Sequence, residues 1–223
     1  TAVMFLAVFS LALGANRPNV LGVNFMVFLA PGLLMMTMLQ NAFANSSSSL
    51  LQAKMMGTIV DLLMPPIGPG ELLFAMMVGA IARAMIICLL GIAIIVPFEQ
   101  LPVSAPWAIL AFGLLGSSLM AFLGVLAGLW ADKFDHLAAV TNFVITPLTF
   151  LSGTFYLIEK LPDGLNVAAQ LNPFFYLIDG FRYGFLGEAD SNLAVGVGVL
   201  IASNLILAWA TFVIMKRGWR IKS

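Results

Sequence analysis

Apolar residues run through this chain in long uninterrupted stretches, and the charges fall between them. Residues 18–53, 100–131, 137–158 and 191–215 carry no charge, and residues 72–98 carry only Arg83. A bilayer-crossing helix needs roughly 20 mostly apolar residues, so every one of these runs is long enough. The opening run, Thr1 to Gly14, is shorter; it reads as the remainder of a span whose start is missing, not as a signal peptide. The pattern therefore predicts six helices, at 1–15, 25–45, 74–97, 106–130, 138–157 and 193–215. None of the runs alternates apolar with polar as a membrane barrel strand must. The expected fold is all-α and integral to the membrane, with residues 1–223 forming one transmembrane domain.

Two connections are not simple loops. Between the second and third spans, Leu51, Met55, Ile59, Leu62 and Leu63 recur at helical spacing before the breaker run Pro65-Pro66-Ile67-Gly68-Pro69-Gly70. That pattern predicts a short helix lying on the membrane surface. Before the last span, Glu159 to Asn192 is too apolar for a solvated loop, yet Asp179 and Arg182 interrupt it. It is expected to dip into the outer leaflet and return as a re-entrant helix pair buried against protein.

Composition agrees. Apolar residues make up 61% of the 223, charged residues only 9%, and the mean hydropathy is +1.05. So few charges cannot solvate a compact 24 kDa globule. The net charge of zero gives no basic surface for nucleic acid. The single cysteine, Cys88, excludes an internal disulfide and a cysteine-built metal site. Lys and Arg set the orientation. Lys54, Lys133, Lys216, Arg217, Arg220 and Lys222 fall on one side and Arg17, Lys160 and Arg182 on the other, six against three. The first side, with the C-terminus, is expected in the cytoplasm.

Candidate chemistry is sparse. A phosphate-binding loop requires GxxxxGK[ST], and no lysine here has Gly before it and Ser or Thr after it. Only one histidine is present, His136, and it sits among Asp132, Lys133 and Asp135 as an interfacial residue. No pair of acids lies inside a span, which disfavours a proton relay. Arg83 is the one charge within a run, and at the bilayer centre it would cost about 2.5–3.5 kcal/mol. Two readings stay open. Either the helix begins after Glu71 and Arg83 snorkels to the headgroups, or Arg83 meets an acid or a helix C-terminus of another subunit. Gly124 and Gly128 form GxxxG, with Gly113 and Ser117 at the same spacing, a pattern that lets helices approach closely. Met35, Met36 and Met38 precede Gln40, Asn41, Asn45 and Ser46 to Ser49 in a stretch that either lines a cavity or forms a lipid-facing or core methionine cluster with a polar cytoplasmic end.

Several stretches together resemble the ABC-2-type transporter permeases. They are Phe28-Leu29-Ala30-Pro31-Gly32, Asp61-Leu62-Leu63-Met64-Pro65-Pro66, Pro147-Leu148-Thr149-Phe150-Leu151-Ser152-Gly153 and, most telling, Asn172-Pro173-Phe174-Phe175-Tyr176-Leu177-Ile178-Asp179-Gly180-Phe181-Arg182. Their order and spacing cover nearly the whole chain, with one departure: the amphipathic helix that such permeases carry before the first span is missing here.

The resemblance implies the transmembrane subunit of a bacterial ABC exporter, especially similar to permeases for drug, lipid-linked or polysaccharide export. It implies a homodimer in the inner (plasma) membrane that works with a separate ATP-binding cassette subunit. That subunit would hold ATP and Mg, so this chain needs no cofactor and is no enzyme itself. Ile59, Asp61, Leu62, Leu63, Pro65 and Pro66 would belong to the coupling helix that docks on the ATPase. Spans two and five would line the translocation pathway, which makes Met35, Met38, Asn41, Asn142, Thr146 and Phe150 its candidate residues. Asn172, Pro173, Asp179 and Arg182 would mark the outer re-entrant segment. The alternative is a secondary transporter or channel that needs no ATPase, but residues 1–110 and 111–223 show no likeness of the inverted-repeat kind.

Overall fold

A computed structural model describes residues 2–13, 20, 22–58, 68–97, 100–157 and 162–217. It is helical throughout, with no named strand among the described residues. Four helices are long and apolar enough to cross a membrane. They are α2 (Phe25–Met55), α3 (Pro69–Ile95), α4 (Pro106–Trp130) and, near the end of the chain, Leu193–Lys216. Two more apolar helical segments fall where the first and fifth spans are predicted. The first, α1 (Ala2–Leu13), covers 12 residues, about 18 Å at the α-helical rise. The second runs through α5 (Phe134–Val140), a π-helical stretch at Thr141–Ile145 and α6 (Thr146–Phe150). Two helices follow, α7 (Asp163–Gln170) and α8 (Pro173–Leu186), and then α9 (Leu193–Lys216).

The fifth segment widens for a local reason. Proline at position 147 has no N–H to donate, and its ring crowds the carbonyl four residues back. The turn before it relaxes into π geometry, with the Thr146 N–H reaching Thr141 O. Such widened turns are frequent at functional sites.

Helix α2 is the axis of the molecule. Eighteen of its residues are buried, against six in α3 and five in α9. Its main partner is α4, and glycines set the approach. A Cβ at Gly124 would lie 2.6 Å from Phe43 O, and one at Gly128 2.9 Å from Ser47 O. The GxxxG pattern is thus filled within one chain. Met35 and Met38 pack over Gly116 and Gly113 in the same seam.

Two expectations are corrected here. The second span ends at Met55, not near residue 45, so Leu51 and Met55 belong to α2 and not to a surface helix. The serines do not break it because Ser46, Ser47 and Ser48 each donate to a carbonyl four residues earlier, satisfying their hydroxyls within the helix. The third span starts at Pro69, before Glu71. Proline suits a first helical position, and the Glu71 carboxylate accepts from the Gly68 N–H at 3.0 Å. The later start on which the snorkelling of Arg83 depended is not observed.

At the end of the bundle bearing Lys54, that side chain is nearly buried. Its ammonium donates to Leu129 O and Ala131 O, both at 2.9 Å, and lies 3.9 Å from Asp132. It satisfies the last carbonyls of α4, where a cation is favoured by the helix dipole.

Candidate functional site

Three of the stretches singled out in the sequence meet at one buried point, the side chain of Arg182. Helix α8 carries it there. Asn172 starts α8, its Oδ1 accepting from Phe174 N–H at 3.1 Å, and Gly187 ends it in the left-handed conformation with φ of 77°. Leu177 lies at the level of Gly116, Gly180 at Phe112, and Gly184 at Ala105 and Ile109. Helix α8 therefore runs antiparallel beside the first half of α4, from its middle to its start. At that start Ala105 N–H donates to Gly184 O at 2.9 Å and Ser104 Oγ to Phe185 O at 3.0 Å. At 14 residues α8 spans about 21 Å, too short to cross a bilayer.

Arg182 is only 2% exposed. Its Nη2 donates to Gly153 O at 2.7 Å and to Thr154 O at 3.4 Å, and its guanidinium carbon stands 4.0 Å over the Phe28 ring. Gly32 makes the space: a Cβ there would sit 3.0 Å from Thr154 O and 3.1 Å from Arg182 Nη2. Asn172 supplies a second tie from α8, donating to Leu148 O in α6 at 2.8 Å and to Ser152 Oγ just after it at 2.9 Å.

Asp179 and Arg182, three residues apart, do not pair with each other. Asp179, also 2% exposed, accepts from Asp190 N–H, Ser191 N–H and Ser191 Oγ at 2.9, 2.9 and 2.6 Å. It fixes the connection into α9. One buried charge clasps the segment before the helix pair and the other the segment after it. The sequence marked both charges in this segment; it did not identify the loop at Asp190 and Ser191. Beside this node a cavity of about 300 Å³ opens between α7, α8 and the start of α9, lined by residues such as Gln170, Tyr176 and Asn192.

The six candidate pathway residues divide. Met35 and Met38 are fully buried and reach no surface of the chain. Asn41 and Thr146 are half-buried, whereas Asn142 and Phe150 are exposed. Phe143, beside Asn142, is 81% exposed. Ile59, Asp61, Leu62, Leu63, Pro65 and Pro66 lie outside the described residues. No group of three or more His, Cys, Asp or Glu able to hold a metal occurs among the described residues. His136 stacks near Trp130, with ring centroids 5.3 Å apart, and accepts from Asp132 N–H. The arrangement is one for holding helices in a defined order.

The ABC-2 type transporter family model matches residues 1–186. The chain is 34% identical to the inner membrane transport permease YadH of Escherichia coli strain K12, over the whole chain and 87% of that protein. It is 26% identical to nodulation protein J of Rhizobium leguminosarum bv. viciae, over 89% of the chain and 77% of that protein. It is 25% identical to nodulation protein J of Neorhizobium galegae, over 92% and 79%. With its apolar spanning helices and the convergence of its signature stretches on Arg182, the chain belongs to the ABC-2 type transporter family.

Proposed function

We propose that this chain is the membrane-spanning subunit of an ATP-driven exporter and acts as a homodimer with a separate ATP-binding cassette subunit. One observation supports the reading: the chain belongs to a transporter family, and its 223 residues contain no GxxxxGK[ST] with which to hold the phosphates of ATP. The cargo is a hydrophobic, lipid-linked or drug-like molecule taken from the cytoplasm or inner leaflet. The six-span topology, with a cytoplasmic C-terminus in the inner membrane, follows from the apolar runs and the basic residues. Helix α8 and α7 form the re-entrant pair, supported by the short length of α8 and its burial against α4. The exposed Asn142 and Phe150, with half-buried Asn41 and Thr146, line the pathway, and Met35 and Met38 back it as packing.

The segment from Met56 to Pro66 couples the two subunits. Ile59, Leu62 and Leu63 offer an apolar face, and Pro65-Pro66 a stiff exit. The test is co-purification of the full chain with its ATPase, followed by Leu62→Asp and Leu63→Asp. A charge on a docking face releases the ATPase or uncouples its hydrolysis from cargo, while the membrane part stays folded and dimeric. Normal ATPase retention and stimulation in both variants would refute the coupling role. Absence of any ATPase partner would return the chain to a secondary transporter or channel.

A further inference from the structure

We infer that Arg83 and Asn45 form the point at which the anionic group of an amphipathic cargo is bound. This deepens the exporter reading and rests on it, and it names the chemistry of what is carried: an acidic head, carboxylate or phosphate, on an apolar body.

The side chain of Arg83 leaves α3 toward α2, where its Nη1 donates to Asn45 Oδ1 at 3.1 Å. That is the single hydrogen bond among the described residues for a guanidinium with five donors, and the residue is exposed on the chain's surface. Its depth follows from α2. Asn45 is nine residues from Lys54, about 13 Å along the helix, and Lys54 marks the end of α4 beside Asp132. Half the hydrocarbon thickness is about 15 Å, so the cation sits well inside the apolar layer and away from headgroups.

Such a charge needs a counter-ion, and among the described residues no acid pairs with it. Of its ten acids, only Glu71 falls in one of the four long helices, twelve residues before Arg83 and about 18 Å away. Asp179, in the short α8, is committed to Asp190 and Ser191. A second copy would bring the same ten acids, with Glu71 again the one that falls in a described long helix. What the surroundings do provide is a polar track. Thr37, Asn41, Asn45, Ser48 and Gln52 are spaced along one side of α2 and are all at least partly exposed. Thr37, Asn41 and Ser48 satisfy their donors on α2's own carbonyls, which keeps the track stable in an apolar layer. On α3, Gly79 leaves Asn45 uncrowded, since a Cβ there would come no nearer than 4.0 Å. A cation without an acid, set on a polar track inside the apolar layer, fits an anionic head whose tail stays in lipid or the pathway.

The full chain in neutral maltoside micelles is titrated with dansyl-labelled undecanoic acid and, separately, with its methyl ester. The acid should bind about tenfold or more tightly than the ester, the range expected for a charge-assisted contact. Arg83→Gln should weaken the acid to the level of the ester and leave the ester unchanged, while Arg83→Lys keeps most of the preference. Asn45→Asp neutralises the cation in place and should abolish the preference too, which covers the case in which Arg83→Gln does not fold. Equal binding of acid and ester by the parent, or a preference that survives both Arg83→Gln and Asn45→Asp, would overturn the assignment. Competition identifies the source. Displacement of the acid by phosphatidylglycerol but not phosphatidylcholine supports the site with a bulk lipid head as occupant; resistance to both supports it with a more selective cargo. No ATPase is present in this assay, so its failure and the failure of the exporter reading are read separately.

Discussion

Two arginines lie within the apolar body of this molecule, and the protein treats them in opposite ways. Arg182 is enclosed: two carbonyls, an aromatic face and a glycine-sized gap are built around it. Arg83 is left at the surface with one amide as its neighbour. A buried charge whose contacts are all internal fixes structure, because removing it strands the groups arranged for it. A cation left open inside the apolar layer has its counterpart elsewhere. The difference separates a part of the molecule that must not change from a part that meets something.

The largest effect that sharpens this contrast is Arg182→Ala. It removes two buried hydrogen bonds and the contact with Phe28, and it releases the loop at Gly153 from α2 and α8. Breaking a buried charged contact costs about 3–5 kcal/mol. The lower end applies here, because Asp179 keeps its three hydrogen bonds to the following loop. Yield and the thermal midpoint in detergent should both fall sharply. Arg182→Lys should recover only part of the loss, since an ammonium cannot present the same planar face to Phe28. A parent-like midpoint for Arg182→Ala would place the two arginines in the same class.

Much of this arrangement was legible in the sequence. Long apolar runs with at most one charge located the four helices long enough to cross a membrane, because desolvating a charge in lipid costs more than any local propensity returns. Helices α7 and α8 fall in the stretch that the sequence marked as too apolar for solvent and too charged to span. Helix rotation was not legible. Whether Met35 and Met38 face a cavity or α4 depends on glycines about 80 residues away, and one helix's periodicity contains no such information. The extension of α2 through Ser46 to Ser48 was also hidden. Serine favours turns as readily as it bonds back to its own helix, and tertiary packing on Gly124 and Gly128 decided between them. The loop that holds Asp179 was not legible either, because spacing on a helix points to Arg182 while Asp190 and Ser191 are invisible to periodicity.

A matched pair of glycine substitutions gives a smaller but cleaner contrast. Gly32→Ala puts a methyl 3.0 Å from Thr154 O and 3.1 Å from Arg182 Nη2. Thr154 cannot easily retreat, since its hydroxyl holds Thr149 O at 2.8 Å. Overpacking of this kind costs about 1–3 kcal/mol. Gly79→Ala puts its methyl in ordinary contact with Asn45 at 4.0 Å, and within a helix alanine is favoured over glycine by about 1 kcal/mol. The thermal midpoint should drop for the first and hold or rise for the second. Equal losses from both would show that the surroundings of Arg83 are as tightly fitted as those of Arg182.

The smallest expected effect on stability is that of Arg83→Gln, and its smallness is what makes it informative. Glutamine keeps a donor that can reach Asn45 and removes a charge held inside the apolar layer. Exposed substitutions away from caps, cores and networks usually change stability by no more than about 0.5 kcal/mol, and relief of a charge in lipid works in the stabilising direction. The midpoint of Arg83→Gln should therefore match or slightly exceed that of the parent, in the same detergent in which Arg182→Ala fails. Adding dansyl-labelled undecanoic acid should then raise the midpoint of the parent and not that of Arg83→Gln, because a ligand stabilises the folded state only where it binds. A steep loss of stability in Arg83→Gln without ligand would mean that Arg83, like Arg182, is held by internal contacts that a surface position should not need, and the contrast between the two arginines would collapse.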